Sequence, residues 1–215
     1  MRATIRGMRL PPRLSLRLSK LLVGLFLYGL AISLMLRAGL GVSPWDVLAQ
    51  GMMLQTGLSF GLLVILIGVA VLGLWWPLRQ RPGLGTVLNA LLIGPSAEVG
   101  LWLLPDFHVW WQQWLVFAAG LGLLALATGL YIGARFGAGP RDGLMTGLHS
   151  RFGWPVWVAR TVVEGSVLVT GWWLGGTVGW GTLAFALLIG PLVHRTLPWC
   201  DTRLPAAPIA TPGRV

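Results

Sequence analysis

Long apolar stretches alternate along the chain with short polar or charged breaks. Six runs of mostly apolar residues stand out, at 21–39, 59–77, 85–104, 112–134, 155–174 and 180–198. About 20 such residues wound as a helix cover the roughly 30 Å hydrocarbon core of a bilayer. The pattern therefore predicts an all-α polytopic bundle of six transmembrane helices. Trp75, Trp76, Trp102, Trp110, Trp111, Trp172, Trp173, Trp180 and Trp199 fall at or near the run ends, where an amphipathic indole favours the headgroup level. Two further segments, 44–56 and 140–152, read as short helices. At about 20 Å long they cannot cross the core.

Composition agrees with a bilayer as solvent. The chain has 215 residues, of which 55% are hydrophobic and 10% charged. A water-facing domain carries roughly 25% charged residues. The net charge of +10 does not point to nucleic acid, because the cations are not gathered on one helix face. Arg2, Arg6, Arg9, Arg13, Arg17 and Lys20 lie in the first twenty residues, and most of the others flank apolar runs. With the N-terminus in the cytoplasm, Arg79, Arg81, Arg135, Arg141, Arg151, Arg160, Arg195, Arg203 and Arg214 also fall on or near the inner side, and Arg37 alone lies near the outer surface. Positive residues prefer the cytoplasmic side, so both termini are expected in the cytoplasm. The basic segment 1–20 is expected to attract anionic lipid. It precedes an apolar run, Leu21 to Leu36, but no A-x-A site follows, so a cleaved signal peptide is not expected.

The halves of the chain repeat. At an offset of 96 residues, 24–95 meets 120–191 without a gap, with 26 identities in 72 positions. G-V-S-P-W-D-V-L-A-Q-G (41–51) meets G-A-G-P-R-D-G-L-M-T-G (137–147), G-L-G-T (83–86) meets G-W-G-T (179–182), and A-L-L-I-G-P recurs at 90–95 and 186–191. Each copy holds three long runs and one short segment, dividing the chain into a tail at 1–20, repeat 1 at 21–105, repeat 2 at 112–198 and a tail at 199–215. Three crossings is an odd number, so the second copy must enter from the opposite side. Inverted repeats of this kind recur in secondary transporters. Segment 44–56 is then expected at the outer side and 140–152 at the inner. The outer segment carries no Lys or Arg, and its Trp45 and Gln55 match Arg141 and Arg151.

Several positions could carry chemistry. Ser43, Pro44 and Asp46 form a helix start, and Gly139, Pro140 and Asp142 repeat it, with Gly57 and Gly153 as left-handed ends. Each reads either as a well-capped short helix or as a re-entrant element whose Asp meets a cation or proton. Pro95 and Pro191 fall inside their runs. A proline there deprives the carbonyls of Leu91 and Leu187 of helical partners, which makes either a packing kink or a substrate-site break. Glu98 and His194 are repeat equivalents, either interfacial or on a pathway. Arg160 and Glu164 stand one turn apart, either as a structural lock or as a functional pair near mid-membrane, where a charge is costly. Gly129, Gly133 and Gly137 make a small-residue packing face.

No H-E-x-x-H, G-x-S-x-G or P-loop pattern occurs, and three His and one Cys make no metal constellation. The chain is therefore expected to be no enzyme and to hold neither metal nor cofactor. Cys200 reads as an incidental juxtamembrane thiol or as an acylation site.

The strings G-V-S-P-W-D-V-L, G-A-G-P-R-D-G-L-M and A-L-L-I-G-P resemble the YczE/YyaS/YitT group of bacterial membrane proteins, its YczE branch above all, over about residues 20–197. The resemblance implies a bacterial inner-membrane protein and carries over no catalytic residues. Two functions stay open: a transporter-like protein for a small solute or ion, or a non-transporting scaffold or assembly partner. A homo-oligomer is compatible with either.

Overall fold

The computed structural model describes residues 14–202. Residues 1–13 and 203–215, with most of the basic tail expected to attract lipid and with Arg203 and Arg214, lie outside the described residues. Eight helices and no strand occur among those described. They are α1 (Leu14–Ala38), α2 (Pro44–Thr56), α3 (Phe60–Trp75), α4 (Leu84–Leu103), α5 (Trp110–Gly133), α6 (Pro140–Phe152), α7 (Val156–Trp173) and α8 (Trp180–Cys200). The starts of α5–α8 follow those of α1–α4 by 96 residues each (110 − 14, 140 − 44, 156 − 60, 180 − 84). Residues 14–20, assigned above to a tail, are the first turns of α1.

By length and apolarity α1, α4, α5 and α8 can each cross a membrane, and α2 with α3, bent by 118° at their junction, makes a fifth candidate. The expected count of six thus rests further on α7. Its 18 residues hold Arg160 and Glu164, and those charges lower its apolarity.

The two short helices form where their punctuation places them. The Ser43 side chain accepts from the Asp46 N–H at the start of α2, with Pro44 in the first turn. Gly57 (φ 71°) and Gly153 (φ 72°) close α2 and α6 in the left-handed region, which glycine adopts at least cost.

α1 and α5 pack on each other at the centre, α4 lies on α1 and α8 on α5. One end of the bundle gathers the start of α1 and the ends of α5 and α8. There Arg17 donates to the carbonyls of Ala134 and Arg135, and Lys20 to that of Cys200. The opposite end gathers the end of α1 and the start of α8, where Arg37 pairs with Asp106 at 2.7 Å and Gly181 N–H donates to Leu40 O at 2.7 Å. Its counterpart at the first end is Gly85 N–H donating to Phe136 O at 2.9 Å. The G-x-G-T strings therefore seat the start of α4 and of α8 against the loop that feeds the other half's short helix. A side chain at Gly83 or Gly85 would run into Phe136.

α2 ends near α7, with Gln55 donating to Leu174 O at 3.0 Å. α6 ends near the close of α3, with Gln80 donating to Ser150 Oγ at 3.0 Å. Their starts meet inside the bundle, so the two short helices leave a common interior point toward opposite ends.

The prolines do not end their helices. α4 and α8 run on through Pro95 and Pro191, and both prolines are on outward faces. The glycine face is also shorter than expected. Gly129 and Gly133 pack on α8, against Thr196 and Cys200, but Gly137 (φ 124°) has left the helix and lies against Thr86 and Gly83. Cys200 is buried in that α5–α8 contact, which speaks against acylation.

Candidate functional site

A cavity of about 410 Å³ lies where α2 and α6 begin, walled by α1, α3, α4, α5, α7 and α8. The half-helix starts bring charge to the interior. Asp46 is buried, and its Oδ2 accepts from Ser43 Oγ at 2.5 Å. Its Oδ1 has no hydrogen bond and faces an Arg141 guanidinium nitrogen at 3.7 Å. That guanidinium also lies over the Trp45 ring, 5.2 Å from its centroid, a favourable cation–π placement. Trp45 and Arg141 are themselves 96 apart, so the position that differs between the copies supplies both sides of the contact.

Asp142 lines the cavity and accepts from the Tyr131 hydroxyl at 3.3 Å. Tyr131 packs edge-on against Tyr28, with centroids 6.0 Å apart. Arg160 and Glu164 also line the cavity and pair at 3.1 Å, their side chains 50% and 26% exposed. Of the expected site residues, Asp142, Arg160, Glu164 and His194 face this one space, and Asp46 stands behind its wall. Pro95 and Pro191 do not line it. Glu98 is elsewhere too. Its carboxylate accepts from the Gly61 N–H at 2.6 Å and so caps α3 against α4. Among the described residues no group of three or more His, Cys, Asp or Glu could hold a metal.

The sequence reading missed Tyr28, Tyr131, Asn89 and Thr128, all cavity-lining. A usable signal existed, since the chain has two tyrosines and both sit within apolar runs, where a hydroxyl needs a partner.

The two halves differ around this space. α3 packs closely on α4, and a Cβ on Gly94 would collide with the Gly61 carbonyl oxygen. α7 and α8 are joined by a short loop yet do not pack along one another, and Gly190 has open space where a Cβ would stand. Of the apolar window of α4, 44% is buried, against 11% for α8.

A family model described as "Family of unknown function (DUF6198)" matches residues 15–197. A Haemophilus influenzae protein described as uncharacterized is 39% identical over 191 residues, 89% of this chain and 87% of that protein. The uncharacterized membrane protein YczE of Bacillus subtilis is 35% identical over 114 residues, 53% of each chain. The uncharacterized protein YyaS of the same organism is 29% identical over 180 residues, 82% of this chain and 90% of that protein. No solved structure matches. With its apolar helices, this likeness makes the chain an integral membrane protein.

Proposed function

The chain belongs to the DUF6198 family, and from that membership and the geometry of the cavity we propose a transporter-like protein that binds and moves a small solute or ion between two inverted repeats. Each repeat contributes three spans and one re-entrant helix. The protein sits in the bacterial inner membrane with both termini cytoplasmic and has no enzymatic activity.

One observation carries this reading. The starts of α2 and α6 meet at Asp46 and Arg141, 3.7 Å apart, beside the cavity that holds Asp142, Arg160 and Glu164. Non-helical backbone and ionisable groups are tolerated at membrane depth where protein or a water-filled cavity covers them. Half-helices directed at a midplane site from both sides are the arrangement of inverted-repeat transporters. The difference between the halves supports it further. A closed α3–α4 pair with an open α7–α8 pair is one state of an alternating cycle, whose other state exchanges the two. Arg17, Lys20, Arg79 and Arg135 lie toward the end at which α7 begins and α8 finishes, so the open pair faces the cytoplasm.

The test is flux. In protein-reconstituted vesicles, currents are recorded against a panel of amino acids, organic acids and inorganic ions. At least one is expected to give a saturable response that Glu164→Gln lowers by tenfold or more. Thermal unfolding is followed alongside, because the change leaves Arg160 without its ion-pair partner at membrane depth. If no panel member exceeds protein-free vesicles and Glu164→Gln alters stability alone, the protein is a scaffold, a reading that the little-buried α8 would then favour.

A further inference from the structure

The charges that line or back the cavity do not cancel. Asp46, Asp142 and Glu164 set three carboxylates against the two guanidiniums of Arg141 and Arg160, with His194 counted as neutral. Arg141 is paired with Asp46 at 3.7 Å and Arg160 with Glu164 at 3.1 Å. Asp142 is left over. Among the described residues its carboxylate has the Tyr131 hydroxyl at 3.3 Å and no cation within ion-pair distance. It stands in the first turn of α6, whose positive end offsets about half of its charge. A carboxylate left in this way at membrane depth is costly. A cation from outside the protein would complete it.

The walls beside Asp142 select among cations. Tyr28, Trp45, Tyr131 and Phe185 line the same space. Trp45 already holds the Arg141 guanidinium over its ring. Tyr28 and Tyr131 meet edge to face with centroids 6.0 Å apart, and Tyr131 has its hydroxyl on Asp142. An alkylammonium ion beside such rings gains cation–π attraction on top of its pairing with a carboxylate. The volume of about 410 Å³ is that of a small-molecule site and exceeds what one metal ion fills. We propose that the cavity binds a small organic cation, an alkylammonium ion whose charge sits on the Asp142 carboxylate and whose carbon skeleton lies against the Tyr28 and Tyr131 rings. This rests on the cavity being the solute site and names the class of its solute.

The test uses the full chain in lipid nanodiscs, with radiolabelled choline and n-butylammonium as probes. Saturable binding of at least one is expected. The unlabelled ammonium ion should displace it. Equal concentrations of sodium chloride or of 3,3-dimethylbutan-1-ol, the uncharged isostere of choline, should not. Asp142→Asn, which keeps an acceptor for Tyr131, should weaken binding at least tenfold. Tyr28→Leu should weaken it at least threefold and Tyr28→Phe less than twofold, because the ring is what the cation meets. The competition arm needs no variant and serves if Asp142→Asn does not fold. Binding of neither ammonium ion overturns the proposal, and so does equal displacement by the uncharged isostere. Unchanged affinity in a folded Asp142→Asn protein overturns the seat on Asp142. Flux of an anionic or uncharged solute without ammonium binding would leave a transporter and remove the cation. Ammonium binding without flux of either probe into vesicles would leave the cation site and remove transport.

Discussion

Arg141→Met is expected to destabilise the protein by about 3–5 kcal/mol, the usual cost of leaving one member of a buried ion pair alone. The size follows from the burial of Asp46, whose side chain is 2% exposed and whose Oδ1 has no hydrogen bond and faces this guanidinium at 3.7 Å. Loss of the cation–π contact with Trp45 adds to it. Asp46→Asn should cost less. The amide keeps a partner in Ser43, and Arg141, 24% exposed, can turn into the cavity. The double variant should be less destabilised than the sum of the single ones by at least about 1.5 kcal/mol, as expected for directly coupled groups. Equilibrium unfolding in mixed micelles measures all three. Additivity within about 0.3 kcal/mol would mean that the contact between the half-helices contributes nothing.

The second large effect compares two glycines 96 residues apart. Gly94→Ala places a methyl against the backbone carbonyl of Gly61, with Ile65 also close. Backbone cannot rotate away as a side chain can, so α3 and α4 must separate. The expected cost is about 1–3 kcal/mol. Gly190→Ala meets open space and removes a flexible residue from a helix, which favours the helix by about 0.5–1 kcal/mol. Thermal unfolding followed by tryptophan fluorescence should therefore move in opposite directions for the two variants. Equal destabilisation would mean that α7 closes on α8 as α3 does on α4, and the proposed open state would be lost.

Helix positions were highly legible in this sequence, because a bilayer enforces long apolar runs and because Ser43, Pro44, Gly57 and their counterparts are strong local signals. Segments 44–56 and 140–152 came out at their observed bounds. The site was legible in part. Asp142, Arg160 and Glu164 announced themselves as charges within or beside apolar runs. The pairing of Arg141 with Asp46 did not, since it joins residues 95 apart (141 − 46) through tertiary packing alone. The prolines lie off the cavity for a physical reason. A helix facing lipid on one side can place its pyrrolidine outward and continue, so a proline marks a break only when its freed carbonyl meets a cavity. Glu98 and His194 show the limit of repeat logic. Equivalent in sequence, they do different work, one capping α3 and the other facing the open space, because the two halves are packed differently.

The inverted arrangement is tested most directly by the sides from which α2 and α6 are reached. With Cys200 replaced by alanine, single cysteines at Thr56 and Arg151, both exposed helix ends, are labelled in intact cells and in inside-out vesicles with a membrane-impermeant maleimide. Thr56→Cys should react from the periplasmic face alone and Arg151→Cys from the cytoplasmic face alone. Reaction of both from one face would contradict the account.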